Sequence, residues 1–289
     1  MTNISPIIQP EDFVKLDPNE IILIDASAGS KARYNENHLT GALYIDLNTD
    51  LANIKDFAIG GRHPLPTPEA FGKVLGGLGI DKASHVIIYD DKNGSNAAAR
   101  FWWMLKAIGH QKVQVINGGF DAAIKAGFPT NSEKPTPIAI GAESGKPYSP
   151  DSYRDGSYQL AVADIDEVER ASKTGNQTIV DVRDANRFAG LTEPIDLIAG
   201  HIPGAINIPF TENLDAEGLF LEPELLKEKY KKALADVDAT HTIVHCGSGV
   251  TACHMLLAMD YAGLEIPKLY VGSWSEWSRN NKAMVLAEK

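Results

Sequence analysis

Short apolar, β-branched runs recur along the chain, and longer stretches with apolar residues at helical spacing lie between them. In the first half the runs are Ile21–Asp25, Ala42–Ile45, Val86–Tyr89 and Val113–Ile116, with helical patterns over Pro68–Leu78 and Ala97–Ile108. In the second half they are Thr178–Asp181, Ala205–Ile208, Thr242–His245 and Lys268–Val271, with helical patterns over Asp164–Ser172, Glu222–Leu234 and Thr251–Ala262. Strands alternating with helices predict α/β units, each a mainly parallel sheet with helices on both faces. Consecutive apolar residues within the runs fit strands buried on both sides.

The two halves repeat one another. His38-Leu39-Thr40-Gly41-Ala42-Leu43-Tyr44-Ile45 aligns with His201-Ile202-Pro203-Gly204-Ala205-Ile206-Asn207-Ile208, identical at four of eight positions. Leu23-Ile24-Asp25 answers Ile179-Val180-Asp181, Ile87–Asp90 answers Ile243–Cys246, and Val115–Gly118 answers Leu269–Gly272. Matches kept in one order predict two copies of one domain-sized unit. The stretch between them, with Pro135, Pro137, Pro147, Pro150, Gly141 and Gly145, reads as a linker. The expected division is a first unit over 1–135, a linker over 136–157 and a second unit over 158–289.

Composition narrows the chemistry. The 289 residues are 44% hydrophobic and 22% charged, as in a soluble globular protein, and no apolar run has the length of a membrane span. The first residues show neither a signal core nor an Arg-rich transit pattern, so a cytoplasmic protein is expected. A formal charge of −11 argues against nucleic acid and anionic membranes as partners. Only Cys246 and Cys253 are present; a disulfide scaffold is not expected, and no second Cys/His pair completes a zinc site, so neither metal nor cofactor is implied.

Cys246 stands where the apolar run Thr242–His245 gives way to Gly247-Ser248-Gly249-Val250-Thr251 and then to a helical pattern. Backbone N–H groups at such a turn favour an anion, which marks Cys246 as the candidate nucleophile. Cys253 falls inside the helical pattern and reads as a packing residue. The first copy has Asp90 where the second has Cys246, so only the second is armed. Cysteine-based phosphate-ester hydrolysis needs an arginine six positions on, to clamp the phosphoryl oxygens, and Ala252 stands there. Sulfur transfer through a cysteine persulfide is the better fit, with the N–H groups of Gly247, Gly249, Val250 and Thr251 holding the sulfur anion.

These residues resemble a known family. His201–Ala205, the loop Cys246–His254 and Tyr270-Val271-Gly272-Ser273-Trp274-Ser275-Glu276-Trp277 are similar to the two-domain sulfurtransferases, as are Arg100–Met104 and Asn117–Phe120 in the first half. The resemblance covers nearly the whole chain and implies tandem rhodanese domains. Thiosulfate sulfurtransferases usually carry Arg and Lys after the cysteine; Gly247-Ser248-Gly249 resembles instead the 3-mercaptopyruvate sulfurtransferases. The resemblance implies a small-molecule sulfur donor, a Cys246 persulfide, and cyanide or a thiol acceptor such as a thioredoxin-like protein. It also implies that Ser248 handles the donor's thiol proton, that His63 forms a relay with it, and that Arg187 contacts the donor's carboxylate region. The family's relay carboxylate falls at Asn48, with Asp46 and Asp50 beside it. The family's second donor arginine falls in Glu193-Pro194-Ile195-Asp196-Leu197, which has none, leaving Arg187 alone or with a residue such as Arg62. A thiosulfate donor, and a persulfide carrier that turns over no small donor, are the alternative readings.

Overall fold

The computed structural model describes residues 4–29, 31–135, 158–235 and 238–287. The linker expected over 136–157 lies outside the described residues. The described chain forms two compact units. One is drawn from Met1–Ala52, Pro66–Gln159 and Glu217–Leu219; the other is drawn from Asn53–Leu65, Leu160–Ala216 and Phe220–Lys289.

The first unit holds β1 (Ile7–Ile8), α1 (Pro10–Phe13), β2 (Ile21–Asp25), α2 (Lys31–Glu36), β3 (His38–Leu39), β4 (Leu43–Tyr44), α3 (Pro68–Gly77), β5 (His85–Tyr89), α4 (Ala97–Ala107), β6 (Val113–Ile116), α5 (Gly119–Lys125) and β7 (Thr130–Asn131). Its main sheet runs β1-β6-β5-β2-β4, every pair parallel, and β3 pairs with β7 antiparallel. Ile21, Leu23, Ile87 and Tyr89 share one core cluster with Phe13 and Ala123, from helices α1 and α5. The residues between them, Ile22, Ile24 and Ile88, are buried as well. Burial of both alternating sets requires cover on both faces of the sheet, as the apolar runs predict.

The second unit repeats the plan with β8 (Val162–Ala163), α6 (Ile165–Thr174), β9 (Thr178–Asp181), α7 (Ala185–Phe188), β10 (Ile206–Asn207), α8 (Pro223–Leu234), β11 (Thr242–His245), α9 (Ala252–Tyr261), β12 (Lys268–Tyr270) and α10 (Ser273–Trp277). Its sheet runs β10-β9-β11-β12-β8, again all parallel. Read backwards, this is the first sheet strand for strand. Asp164 caps α6 by accepting the Glu167 N–H at 2.7 Å, an arrangement worth roughly 1 kcal/mol.

The edge strands β1 and β8 were not expected from the sequence. Each has two residues and is held by pairing with β6 or β12, too short to show a period. Helix α9 forms where the helical pattern over Thr251–Ala262 predicts it, but it is enclosed on every side. Every residue from Ala252 to Met259 is buried, including Cys253 and His254. His254 stacks on Phe220 with ring centroids 4.4 Å apart, and Cys253 donates to the Gly249 carbonyl at 3.4 Å. Cys253 thus packs as expected, on a helix enclosed all round.

The most similar octets of the repeat do the same structural work twice. His38 Nδ1 meets the Tyr34 carbonyl at 2.6 Å, and its ring stacks on Tyr34 at 4.1 Å. His201 Nδ1 meets the Phe188 carbonyl at 2.8 Å, and its ring stacks on Phe188 at 3.9 Å. Their likeness preserves how the chain returns to the sheet, not chemistry.

Candidate active site

Cys246 follows β11 directly, only 3% exposed. The loop after it is anchored from α10: the Cys246 N–H donates to Ser273 Oγ at 3.2 Å, and the Cys246 and Gly247 carbonyls accept from Trp274 N at 3.0 Å and Ser275 N at 2.9 Å. Gly249 turns the loop at φ +71°, and a Cβ there would collide with the Val271 carbonyl oxygen. Only glycine meets both demands. Among the described residues, no protein acceptor takes the N–H of Gly247, Ser248, Val250 or Thr251. These donors lie in the loop that carries the thiol.

His245 is not the thiol's base. It is fully buried, its Nδ1 meets the Cys246 carbonyl at 3.1 Å, and its Nε2 lies 3.8 Å from Asp181. Burial pushes its pKa down, so it serves as a neutral N–H donor to the loop.

The segment 53–65 belongs to the compact unit of the cysteine, although it comes from the first half of the sequence. It is seated on α10: Gly60 N donates to Glu276 Oε1 at 2.6 Å, and Arg62 N donates to Ser275 Oγ at 3.0 Å. Gly61, at φ +76°, lies so close to the Gly272 carbonyl that a Cβ would collide with it. This seat brings His63 Nδ1 to 2.8 Å from Ser248 Oγ. The two polar groups expected to act as a pair are therefore hydrogen-bonded.

Arg187, on α7, borders the loop as well. A Cβ placed on Gly247 would sit 3.4 Å from Arg187 Nη2 and 3.0 Å from Arg62 Nη2, so the bare glycine makes room for both guanidiniums. The segment Glu193–Leu197 supplies the acids that hold them. Arg187 Nε and Nη2 donate to Glu193 at 3.2 and 2.7 Å. Asp196 accepts from Arg62 Nε at 3.2 Å and from Arg279 Nη1 at 3.1 Å, and lies 3.6 Å from Arg187 Nη2. Arg183, bound to Asp181, also reaches Glu193 at 3.2 Å. Burial pushes the Glu193 carboxyl up, but the Arg187 hydrogen bonds and the N–H groups of Asp196 and Ile195 outweigh it and hold the group below its ordinary range.

The other expected relay residues sit in the first unit. Asp46 accepts the N–H groups of Asn48 and Thr49 at 2.8 and 3.1 Å, and Asp50 accepts the Asp46 N–H at 2.8 Å. Both carboxylates close their own turn. The charged cluster that the sequence did not reveal is Glu193, Asp196 and Arg279: it was visible only as acids in place of an expected arginine.

The fold and site together define a duplicated α/β protein with one cysteine-bearing anion loop, as in persulfide-forming transferases. Rhodanese-like domains match residues 11–126 and 164–280, and the chain belongs to that family. It is 39% identical over 257 residues to a "Probable 3-mercaptopyruvate sulfurtransferase" of Pseudomonas aeruginosa, covering 88% of this chain and 86% of that protein. It is 32% identical to the thiosulfate sulfurtransferase of Rattus norvegicus, covering 86% and 80%. The solved 3-mercaptopyruvate sulfurtransferase of Leishmania major superposes with a TM-score of 0.79 at 29% identity, covering 94% of this chain and 74% of that one. SseA of Escherichia coli, a 3-mercaptopyruvate sulfotransferase, gives 0.73 at 28% identity, covering 94% and 99%. Among the described residues no group of three or more His, Cys, Asp or Glu could hold a metal ion, and no helix is long and apolar enough to cross a membrane.

Proposed function

We propose that the protein is a sulfurtransferase that takes sulfur from 3-mercaptopyruvate onto Cys246 and releases pyruvate. The observation that carries this reading is the hydrogen-bonded Ser248–His63 pair beside a thiol whose loop has no cation of its own and has Arg187 at its edge. The Cys246 thiolate attacks the donor's sulfur, a new S–S bond forms, and the donor's C–S bond breaks with its electron pair left on carbon as the pyruvate enolate. The donor's thiol proton, passed by Ser248 and His63, ends on that carbon to complete the methyl group of pyruvate. The N–H groups of Gly247, Gly249, Val250 and Thr251 stabilise the sulfur anion, and Arg187 orients the donor's carboxylate. A thiol acceptor, such as a reduced thioredoxin-like protein, or cyanide then removes the outer sulfur and restores the thiolate. Two free cysteines suit a reducing compartment, the cytoplasm.

Thiosulfate is the second donor to weigh, because relatives that use it are also similar to the chain. Side-by-side rates with the two donors decide: 3-mercaptopyruvate is expected to be preferred, and a preference for thiosulfate would overturn the donor. Cys246→Ser is expected to abolish the added sulfur mass and pyruvate release, while Cys253→Ser keeps most of both. The opposite pattern would overturn the assignment of the nucleophile.

A further inference from the structure

We propose that His245 is a positioning residue for the cysteine loop: by donating from Nδ1 to the Cys246 carbonyl, it aims the Gly247 N–H at the sulfur anion. The proposal rests on the persulfide reading above and adds to it a residue buried behind the nucleophile.

A carbonyl only accepts, so His245 Nδ1, 3.1 Å from the Cys246 oxygen, carries the proton of the ring. Trp274 N donates to the same oxygen at 3.0 Å. The Cys246–Gly247 peptide is planar and trans, so its C=O and N–H point in opposite directions. Two donors that pin the oxygen therefore fix the line along which the Gly247 N–H leaves. Among the described residues no protein acceptor takes that N–H.

The unarmed copy lacks one of the two donors. There the Asp90 carbonyl accepts Phe120 N at 3.0 Å, as the Cys246 carbonyl accepts Trp274 N. That hold is common to both copies. At the position of His245, however, the first copy has Tyr89. Its hydroxyl accepts the Leu39 N–H at 3.1 Å, and a phenol has no donor where imidazole has Nδ1. The second donor thus accompanies the thiol.

The ring is also fixed from behind. His245 pairs with Asp181 across the β11–β9 ladder, which sets the two side chains on one face of the sheet. Its Nε2 is buried without a hydrogen-bond partner, 3.8 Å from Asp181 Oδ2. Asp181 already has its cation: Arg183 donates to it from Nε at 2.9 and 3.1 Å and from Nη2 at 2.6 Å. A neutral ring with one N–H, committed to the loop, satisfies this site.

The test uses the full chain as wild type, His245→Asn, His245→Gln and His245→Leu. The carboxamide nitrogen of Asn overlies Nδ1, that of Gln overlies Nε2, and Leu has no donor. Two rates are measured at Cys246 by mass spectrometry: persulfide formation from 3-mercaptopyruvate, and alkylation by iodoacetamide as a function of pH. In His245→Leu and His245→Gln, persulfide formation is expected to slow roughly 10-fold with KM little changed, the factor for one misaligned donor to an anion. The pKa read from the alkylation profile is expected to rise by about one unit, the same factor on the thiolate. His245→Asn is expected to recover most of both. Where His245→Leu does not fold, the Asn and Gln variants decide between them. An alkylation pKa that is the same in all variants, or an Asn variant as impaired as Gln, would overturn the assignment and leave His245 a packing residue. In the wild type, ring 15N shifts are expected to show a neutral imidazole protonated on Nδ1; a proton on Nε2 alone would also overturn it. Alkylation involves no sulfur donor. A wild type that forms no persulfide with 3-mercaptopyruvate therefore overturns the donor reading, while the alkylation profiles still decide for or against His245.

Discussion

In the proposed reaction the residues at Cys246 divide the work between proton handling and donor binding, and each part has its own signature. Ser248 and His63 share one hydrogen bond of 2.8 Å, so removing either partner removes the same function. Ser248→Ala and His63→Gln are each expected to lower kcat with 3-mercaptopyruvate by about 100-fold, at the low end for general acid–base catalysis. The double variant should fall no further, because residues acting as a unit are not additive. Multiplying losses would show that the two act separately. Glu193 gives a pH signature instead. A carboxyl lowered in the folded state contributes stability that is complete above its unfolded value, about 4.3, and is lost as pH falls through its lowered folded value. The melting-temperature advantage of the wild type over Glu193→Gln is therefore expected to be constant from about pH 8 to pH 5 and to shrink below about pH 4. A gap that widens on acidification would reverse the sign and exclude the Arg187 pairing as its source.

At the scale of elements, the two strand-to-helix loops show what arming a copy means. In the first unit Asp90 Oδ1 accepts the N–H groups of Lys92 and Gly94 at 2.9 and 2.8 Å, and Oδ2 those of Asn96 and Ala98, both at 3.1 Å. Four donors of the loop are thus taken by a side chain of the loop itself and are not open to an external anion. In the second unit Cys246 occupies that position, and among the described residues no protein acceptor takes the N–H of Gly247, Ser248, Val250 or Thr251. Asp90→Ala would strand four N–H groups, those of Gly94 and Ala98 in buried residues; the expected cost is about 3 kcal/mol, read from the shift in denaturant midpoint. A loss under about 0.5 kcal/mol would mean that the amides find other partners. The sequence showed that Asp90 answers Cys246, because strands β5 and β11 end alike, but not that the carboxyl fills its own loop. That depends on donors up to eight residues away converging on one group. The long central strands were legible for the same reason that β1 and β8 were not: four or five apolar residues make a pattern, and two do not. Helix α9 was legible as a helix, but its full enclosure follows from neighbours such as Phe220 that no local spacing reports.

For the whole molecule, the sequence repeat and the compact units do not coincide. Residues 53–65 lie well inside the first repeat, yet they build the unit that holds Cys246, while Glu217–Leu219 join the other unit. The segment is fixed by Gly60, Gly61 and Arg62 against α10, contacts more than 200 positions apart that no local pattern predicts. The first half of the sequence thus supplies His63 to Ser248 and Arg62 to the space beside Gly247. With a chain charge of −11, the overall field opposes an anionic donor, so the proposed reaction needs local cations to draw it in. A fragment of residues 158–289 keeps Cys246, Ser248 and Arg187 but lacks both groups. It is expected to release pyruvate from 3-mercaptopyruvate at least ~100-fold more slowly than the full chain, since it loses His63 from the proposed proton relay. Circular dichroism and Cys246 alkylation by iodoacetamide establish whether the fragment is folded with an accessible thiol. In a folded fragment the alkylation is expected to be faster than in the full chain, because the segment seated beside the loop is gone. A folded fragment with full pyruvate release would show that residues 53–65 take no part in the chemistry, and that the second repeat is a complete catalyst.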